Sequence, residues 1–176
     1  MNPKGQYYYK KISYSRDYQP EFNADDCDKG REFENFVVSR FSRDYFQLIE
    51  WRSDKYHNGV YARNSMLPDM VWLFESNYYT LPFAVECKWR HNFYNQQIDW
   101  AKEYQFDIYR AFQQEEQMPV FVIIGIGGQP INPAEVYIIP LSHIPDCSLQ
   151  QTYLNPYRRY NPGGNFFLDI DNCLLT

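Results

Sequence analysis

The chain has 176 residues, 44% apolar and 22% charged, which suits one well-cored domain and excludes a disordered chain. Its net charge of −5 argues against a protein that coats nucleic acid through a general basic surface. No stretch approaches a membrane span or an apolar leader, and the four cysteines form no CxxC pair and no zinc-like spacing with the three histidines. We therefore expect a reduced, cytoplasmic protein without a membrane partner.

The N-terminal residues 1–27 are predicted to form an arm that precedes a domain at 28–176. The first twenty residues hold five tyrosines and four basic residues against Asp17 alone, a net charge of +3, and show no helical or strand period. Two interpretations stay open. The arm is either solvated and loosely docked, or it stacks on bases and contacts phosphates.

The first regular element is predicted to be a helix from Arg31 to about Arg43, with Asp28 as its cap. Glu34 lies beside the apolar stripe of this helix instead of opposite it. That stripe consists of Phe33, Phe36, Val37 and Phe41. A strand is predicted over Tyr45–Arg52, and a long polar connection follows over residues 53–66.

Two further strands are predicted at about Asp69–Phe74 and Leu81–Trp89, joined by a turn. A long helix is then expected from Asn95 to Gln117, because Pro119 ends it. Its buried face steps by three and four residues and is interrupted by one amide, that of Gln105. The members of that face are Ile98, Ala101, Gln105, Ile108 and Phe112.

The remaining strands complete a sheet. Val120–Gly125 is wholly apolar, which is typical of a strand covered on both sides, and Glu135–Pro140 follows a glycine turn. Phe166–Ile170 is expected to be an edge strand or a packing flap. The early strands favour antiparallel neighbours, and the later strand–helix–strand passage favours a parallel crossover. The predicted fold class is therefore a single α/β domain with a mixed central sheet flanked by helices.

Charged residues at two strand ends are the best candidates for a functional site. Alternation places Asp69 on one face of its strand, and Glu86 and Lys88 share a face of the next strand. If these strands are neighbours, two carboxylates and an ammonium meet on an apolar sheet, which is costly unless they are paired or hold a metal. A plain surface ion-pair cluster is the alternative interpretation.

In this order of elements, Pro68-Asp69 and Glu86-Cys87-Lys88 resemble the PD-(D/E)xK nuclease superfamily, which has the restriction-endonuclease-like fold. Glu34 resembles the acidic residue on the first helix of that superfamily. Gln105 and Tyr109 resemble its frequent Gln…Tyr pattern. The resemblance covers roughly residues 30–140 and says little about the arm or the C-terminal quarter.

The resemblance implies phosphodiester hydrolysis that depends on Mg²⁺, with Mn²⁺ as a substitute. Asp69, Glu86 and the main-chain carbonyl of Cys87 would hold the metal, and Glu34 would hold a second metal directly or through water. Lys88 would orient the attacking water or stabilise the charged phosphorus centre. Gln105 would serve the site as an auxiliary residue. The expected partner is nucleic acid, with DNA favoured over RNA by family prevalence, and a homodimer or larger complex is left open.

Other residues give weaker signals. The Cys87 side chain is expected to be an apolar filler facing the core, and the glycines after Val120–Gly125 are not followed by the GK[ST] of a phosphate-binding loop. Four basic residues could contact phosphates near the site, although solvated surface positions are the default. These are Arg52, Lys55, Arg63 and Arg90. The rivals to a nuclease are a non-cleaving subunit of the same fold, a protein-interaction module, and a hydrolase of other phosphodiesters.

Overall fold

The computed structural model of the protein describes residues 24–52, 56–57, 60–61 and 66–176. Of the arm predicted at 1–27, residues 1–23, which include its tyrosines and lysines, lie outside this set, as do the basic residues Lys55 and Arg63. The helices are α1 (Ala24–Val38), α2 (Glu103–Glu116) and the short α3 (Gln151–Leu154). No helix in the described part of the chain is both long and apolar enough to cross a membrane.

Five strands form the central sheet, in the order β1-β4-β5-β7-β8. They are β1 (Phe46–Trp51), β4 (Met70–Glu75), β5 (Thr80–Arg90), β7 (Val120–Ile126) and β8 (Glu135–Pro140). Only the β5–β7 pair is parallel, and the other three pairs are antiparallel. The predicted mixed sheet, with antiparallel early strands and a parallel crossover through a helix, is therefore confirmed.

Three short antiparallel pairs accompany the main sheet. They are β2 (Tyr56–His57) with β3 (Val60–Tyr61), β6 (Gln97–Asp99) with β9 (Ser148–Gln150), and β10 (Leu168–Asp169) with β11 (Leu174–Leu175). The expected polar connection at 53–66 thus contains a small hairpin. The expected strand at 166–170 joins no main-sheet strand. It packs as a C-terminal hairpin beside the buried Phe166.

Alternation along the strands divides the core into two clusters, one on each face of the sheet. Val85, Phe121 and Ile123 belong to the cluster that contains Phe33 of α1. Their apolar neighbours in sequence join the cluster of α2 on the other face. Gly125 permits the close approach of α1, because a Cβ atom there would lie 2.4 Å from Cε2 of Phe33.

The predicted bounds of both long helices were wrong. Helix α1 begins at Ala24, so Asp28 lies inside it instead of capping it, and it ends at Val38. The sequence hides the first turn because residues 24–28 contain no large apolar side chain. Phe41 follows the helix end and is nevertheless buried.

Helix α2 begins at Glu103, eight residues later than the predicted Asn95. Asn95 and Gln96 have positive φ angles of 48° and 60°, which turn the chain away from a helix and into β6. Ile98 is buried on that strand, opposite Leu149 of β9. Ile98, which a short strand pair buries, happens to lie at helical spacing from the buried residues of α2.

Strand β5 is longer than its parallel partner. It begins at Thr80, whereas its register with β7 starts at Ala84. Pro82 lies in this leading part, opposite Leu73 of β4. The sheet is therefore only partly paired on that side of β5 among the described strands.

Candidate active site

The register between β4 and β5 brings the two predicted carboxylates together. Met70, the first residue of β4, pairs with Val85, so Asp69 lies opposite Glu86 where the two strands begin to separate. Both residues are 0% exposed. The main-chain amide of Cys87 donates to Oδ2 of Asp69 at 2.8 Å, which ties the first carboxylate to the strand that carries the second.

The two oxygens of Glu86 have different surroundings. Oε1 accepts a hydrogen bond from the Tyr109 hydroxyl at 2.7 Å and forms an ion pair with Lys88 Nζ. Oε2 is buried and has no hydrogen-bond partner among the described residues. An unsatisfied oxygen on a buried carboxylate is costly, so Oε2 is the atom of this site that calls for a ligand.

Tyr109 remains a hydrogen-bond donor throughout the ordinary pH range. Burial raises the pKa of its hydroxyl well above the usual value of about 10, and the negative charges of Glu86 and Asp69 raise it further. The hydroxyl therefore stays protonated and directed at Glu86. In the sequence, only the Gln…Tyr resemblance indicates Tyr109, through its position one turn after Gln105.

Glu34 is buried at 6% exposure, and its Oε2 accepts a hydrogen bond from the indole Nε1 of Trp51 at 2.7 Å. Among the described residues, no three His, Cys, Asp or Glu side chains lie close enough together to hold a metal by themselves. The role of Glu34 at a second metal stays a prediction.

Gln105 has a local role at the start of α2. Its side-chain carbonyl accepts a hydrogen bond from the main-chain amide of Lys102 at 3.1 Å, as in a capping box. The sequence placed this amide in the middle of a longer helix, whereas it lies in the first turn. A part for Gln105 in catalysis remains untested.

Two of the arginines considered as phosphate contacts bond to the protein itself. Arg52 is 7% exposed and forms an ion pair with Glu50. Arg90 donates to the main-chain carbonyls of Trp89 and Asp99. Cys87 is buried with the α1 cluster, as the alternation of β5 predicts, so its side chain lies on the face opposite Glu86.

Comparison with known proteins bears on the fold. No known family model matches this chain, and no curated protein matches it in sequence. Among solved structures, it is similar to Hjc from Archaeoglobus fulgidus, a Holliday junction resolvase from an archaeal hyperthermophile. The likeness covers 72% of this chain and 93% of that chain, with a TM-score of 0.51 and 14% sequence identity. It supports the predicted α/β architecture with a mixed central sheet.

Proposed function

We propose that this protein is a metal-dependent nuclease that hydrolyses phosphodiester bonds in nucleic acid, with DNA as the substrate. The observation that carries the proposal is the pair of fully buried carboxylates, Asp69 and Glu86, with Lys88 beside them. One buried Glu86 oxygen has no hydrogen-bond partner in the part of the chain that the structure describes. Three charges on an apolar sheet are expensive for stability alone. A divalent cation would offset that cost.

The donor set suits Mg²⁺, which prefers oxygen ligands and usually binds through one or two carboxylates while keeping several waters. Asp69 and Glu86 would supply the carboxylates. The Cys87 amide points to Asp69, and the carbonyl of a strand residue points to the same edge as its amide. The Cys87 carbonyl therefore lies on the Asp69 side of β5 and is the third proposed ligand.

The chain's own residues divide the remaining work. Tyr109 holds one oxygen of Glu86, and the other oxygen would bind the metal. Lys88 is partly buried, with 14% of its side chain exposed, and its ammonium would stabilise the negative charge that develops on the phosphate. The bound metal would polarise the phosphate and lower the pKa of the attacking water.

A cleavage assay tests this proposal. Purified protein is incubated with single-stranded DNA, duplex DNA, a four-way junction and RNA, each with Mg²⁺, Mn²⁺, Ca²⁺ or EDTA. The junction is included because the structural neighbour is described as a resolvase. We expect cleavage with Mg²⁺ and Mn²⁺ that is lost in Asp69→Asn and Glu86→Gln. The matched control, Glu75→Gln, alters an exposed acid at the other end of β4 and should remain active.

Metal binding is measured separately by thermal unfolding. Mg²⁺ at 100 times its dissociation constant stabilises the folded state by about 2.7 kcal/mol. For a chain of this size that raises the melting temperature by roughly 5–11 °C. The shift should be absent in Glu86→Gln. Cleavage that survives in Glu86→Gln would refute this site. Tight nucleic-acid binding without metal or cleavage would favour a non-cleaving subunit, and no binding at all would favour a protein-interaction module.

A further inference from the structure

Arg52 bonds twice to the short segment that carries Asp69. Its main-chain amide donates to the Asp69 carbonyl at 2.8 Å, and its guanidinium Nη1 donates to the Pro68 carbonyl at 2.6 Å. The pyrrolidine ring already fixes φ of Pro68. With both carbonyls held, little freedom remains in the backbone from which the Asp69 side chain projects.

The guanidinium is itself fixed by two other elements. Glu50, near the end of β1, accepts from its Nε at 2.8 Å and from its Nη2 at 2.5 Å, which makes a two-point contact. The ring of Phe112 on α2 lies 5.9 Å from the guanidinium carbon. Phe112 is one helical turn beyond Tyr109, so the helix that contacts Arg52 is the helix that bonds to Glu86.

From these contacts we infer that Arg52 is a positioning residue for Asp69, and this inference rests on the proposed nuclease function. The path is short. Arg52 holds the carbonyls of Pro68 and Asp69, and the Asp69 carboxylate in turn accepts the Cys87 amide. A guanidinium is needed because its planar fork serves a carboxylate and a carbonyl in different directions, whereas the lysine ammonium has no such fork.

An arginine with only a structural role would stabilise the sheet without affecting the Asp69 carboxylate. The Cys87 amide, which donates to that carboxylate, therefore distinguishes a structural role from a positioning role. The chain contains four cysteines, so selective ¹⁵N-cysteine labelling gives at most four amide signals. The amide of Cys147 also donates to a carboxylate, Oδ1 of Asp146 at 2.6 Å, in an exposed bond between adjacent residues. It serves as the internal reference.

The experiment measures hydrogen exchange of the Cys87 and Cys147 amides in the full chain without metal. Asp69→Ala removes the acceptor and defines the fully perturbed rate. Arg52→Gln should accelerate exchange of the Cys87 amide by about threefold to tenfold, the effect of weakening one hydrogen bond, and leave Cys147 unchanged. Arg110→Gln is the matched control, because Arg110 lies 5.3 Å over the ring of Phe106 on the exposed side of α2. It should affect neither amide.

The second measurement is the rate of cleavage over a range of substrate concentrations, which gives kcat and KM. Loss of a residue that orients a metal ligand typically costs 10–100-fold in metal affinity or activity, so Arg52→Gln should lose about that factor in kcat with little change in KM. Arg52→Lys should recover part of the loss, and it replaces Arg52→Gln in both assays if the glutamine variant does not fold.

The outcomes separate this inference from the proposed function. Wild-type exchange at Cys87 in a folded Arg52 variant overturns the positioning role, even if cleavage falls. Accelerated exchange at Cys87 supports the role. If the wild-type protein then cleaves no nucleic acid, the nuclease proposal fails and the coupling of Arg52 to Asp69 stands.

Discussion

Replacing Tyr109 by phenylalanine removes one hydroxyl from the centre of the candidate site. Tyr109 is 1% exposed, and its hydroxyl donates to Glu86 Oε1 at 2.7 Å. Phenylalanine keeps the ring, so the loss is confined to a hydrogen bond with a charged group, worth about 1.5–3 kcal/mol. At about 2–4 °C per kcal/mol for a chain of this size, the melting temperature should fall by roughly 3–12 °C.

The same variant should change how stability depends on alkaline pH. The pKa of Tyr109 is higher in the folded protein than in the unfolded chain, where it is about 10. Above about pH 10 the unfolded chain releases this proton and the folded protein retains it. Stability therefore falls as pH rises beyond that point, and phenylalanine removes this contribution. The wild-type protein should lose more stability than Tyr109→Phe between neutral and strongly alkaline pH.

The assay compares thermal unfolding over a pH series with Mg²⁺ titrations of cleavage. Tyr137→Phe is the matched control, since Tyr137 is also 0% exposed and donates to a carboxylate, Glu135 Oε2, at 2.5 Å. Both variants should have a lower melting temperature than the wild-type protein. Only Tyr109→Phe should raise the Mg²⁺ concentration that gives half-maximal cleavage, by about 10–100-fold. The reasoning is refuted if Tyr109→Phe has the melting temperature of the wild-type protein and needs the same Mg²⁺ concentration for half-maximal cleavage.

Two further predictions concern β5 and the packing of α1. Lys88→Ala should abolish Mg²⁺-supported cleavage yet keep much of the nucleic-acid binding seen with Ca²⁺, whereas Cys87→Ser should stay active because only its backbone is needed. Filter binding and cleavage assays check both variants. An inactive but folded Cys87→Ser would point to thiol chemistry. Gly125→Ala should lose about 1–3 kcal/mol because its Cβ would lie 2.4 Å from Phe33. Gly30→Ala in α1, with nothing within 4 Å, should instead gain about 0.5–1 kcal/mol. Denaturant unfolding measures the pair, and equal effects would contradict the proposed packing of α1.

The sheet was predictable because its signals are local. Strand β7 is wholly apolar because both of its faces are buried, and residues of β4 and β5 alternate between the two faces of the sheet. Once β4 and β5 are taken as neighbours, this alternation places Asp69 beside Glu86. The start of α2 was not predictable in this way. Ile98 is buried where its strand pairs with β9, and Trp100 is buried where its Nε1 donates to the Asp146 carbonyl. Both partners lie about fifty residues away in the sequence.

The surroundings of the site also depended on distant partners. Nothing in the residues near Arg52 shows that its guanidinium is buried, because the carbonyl of Pro68 and the ring of Phe112 come from other elements. Gln105 shows the converse. Its partner, the main-chain amide of Lys102, is only three residues away, but this bond can be expected only once the start of α2 is known.

The proline in β5 has a consequence for how this protein behaves at high concentration. The Ala84 amide donates to the Pro119 carbonyl at 2.8 Å, so amides at alternate positions, including 82, would face the same edge. No described strand covers the edge there, and an open edge invites a strand from another molecule. Pro82 offers no amide to such a strand. Pro82 thus disfavours the pairing of a second molecule with the part of β5 that extends past its neighbour.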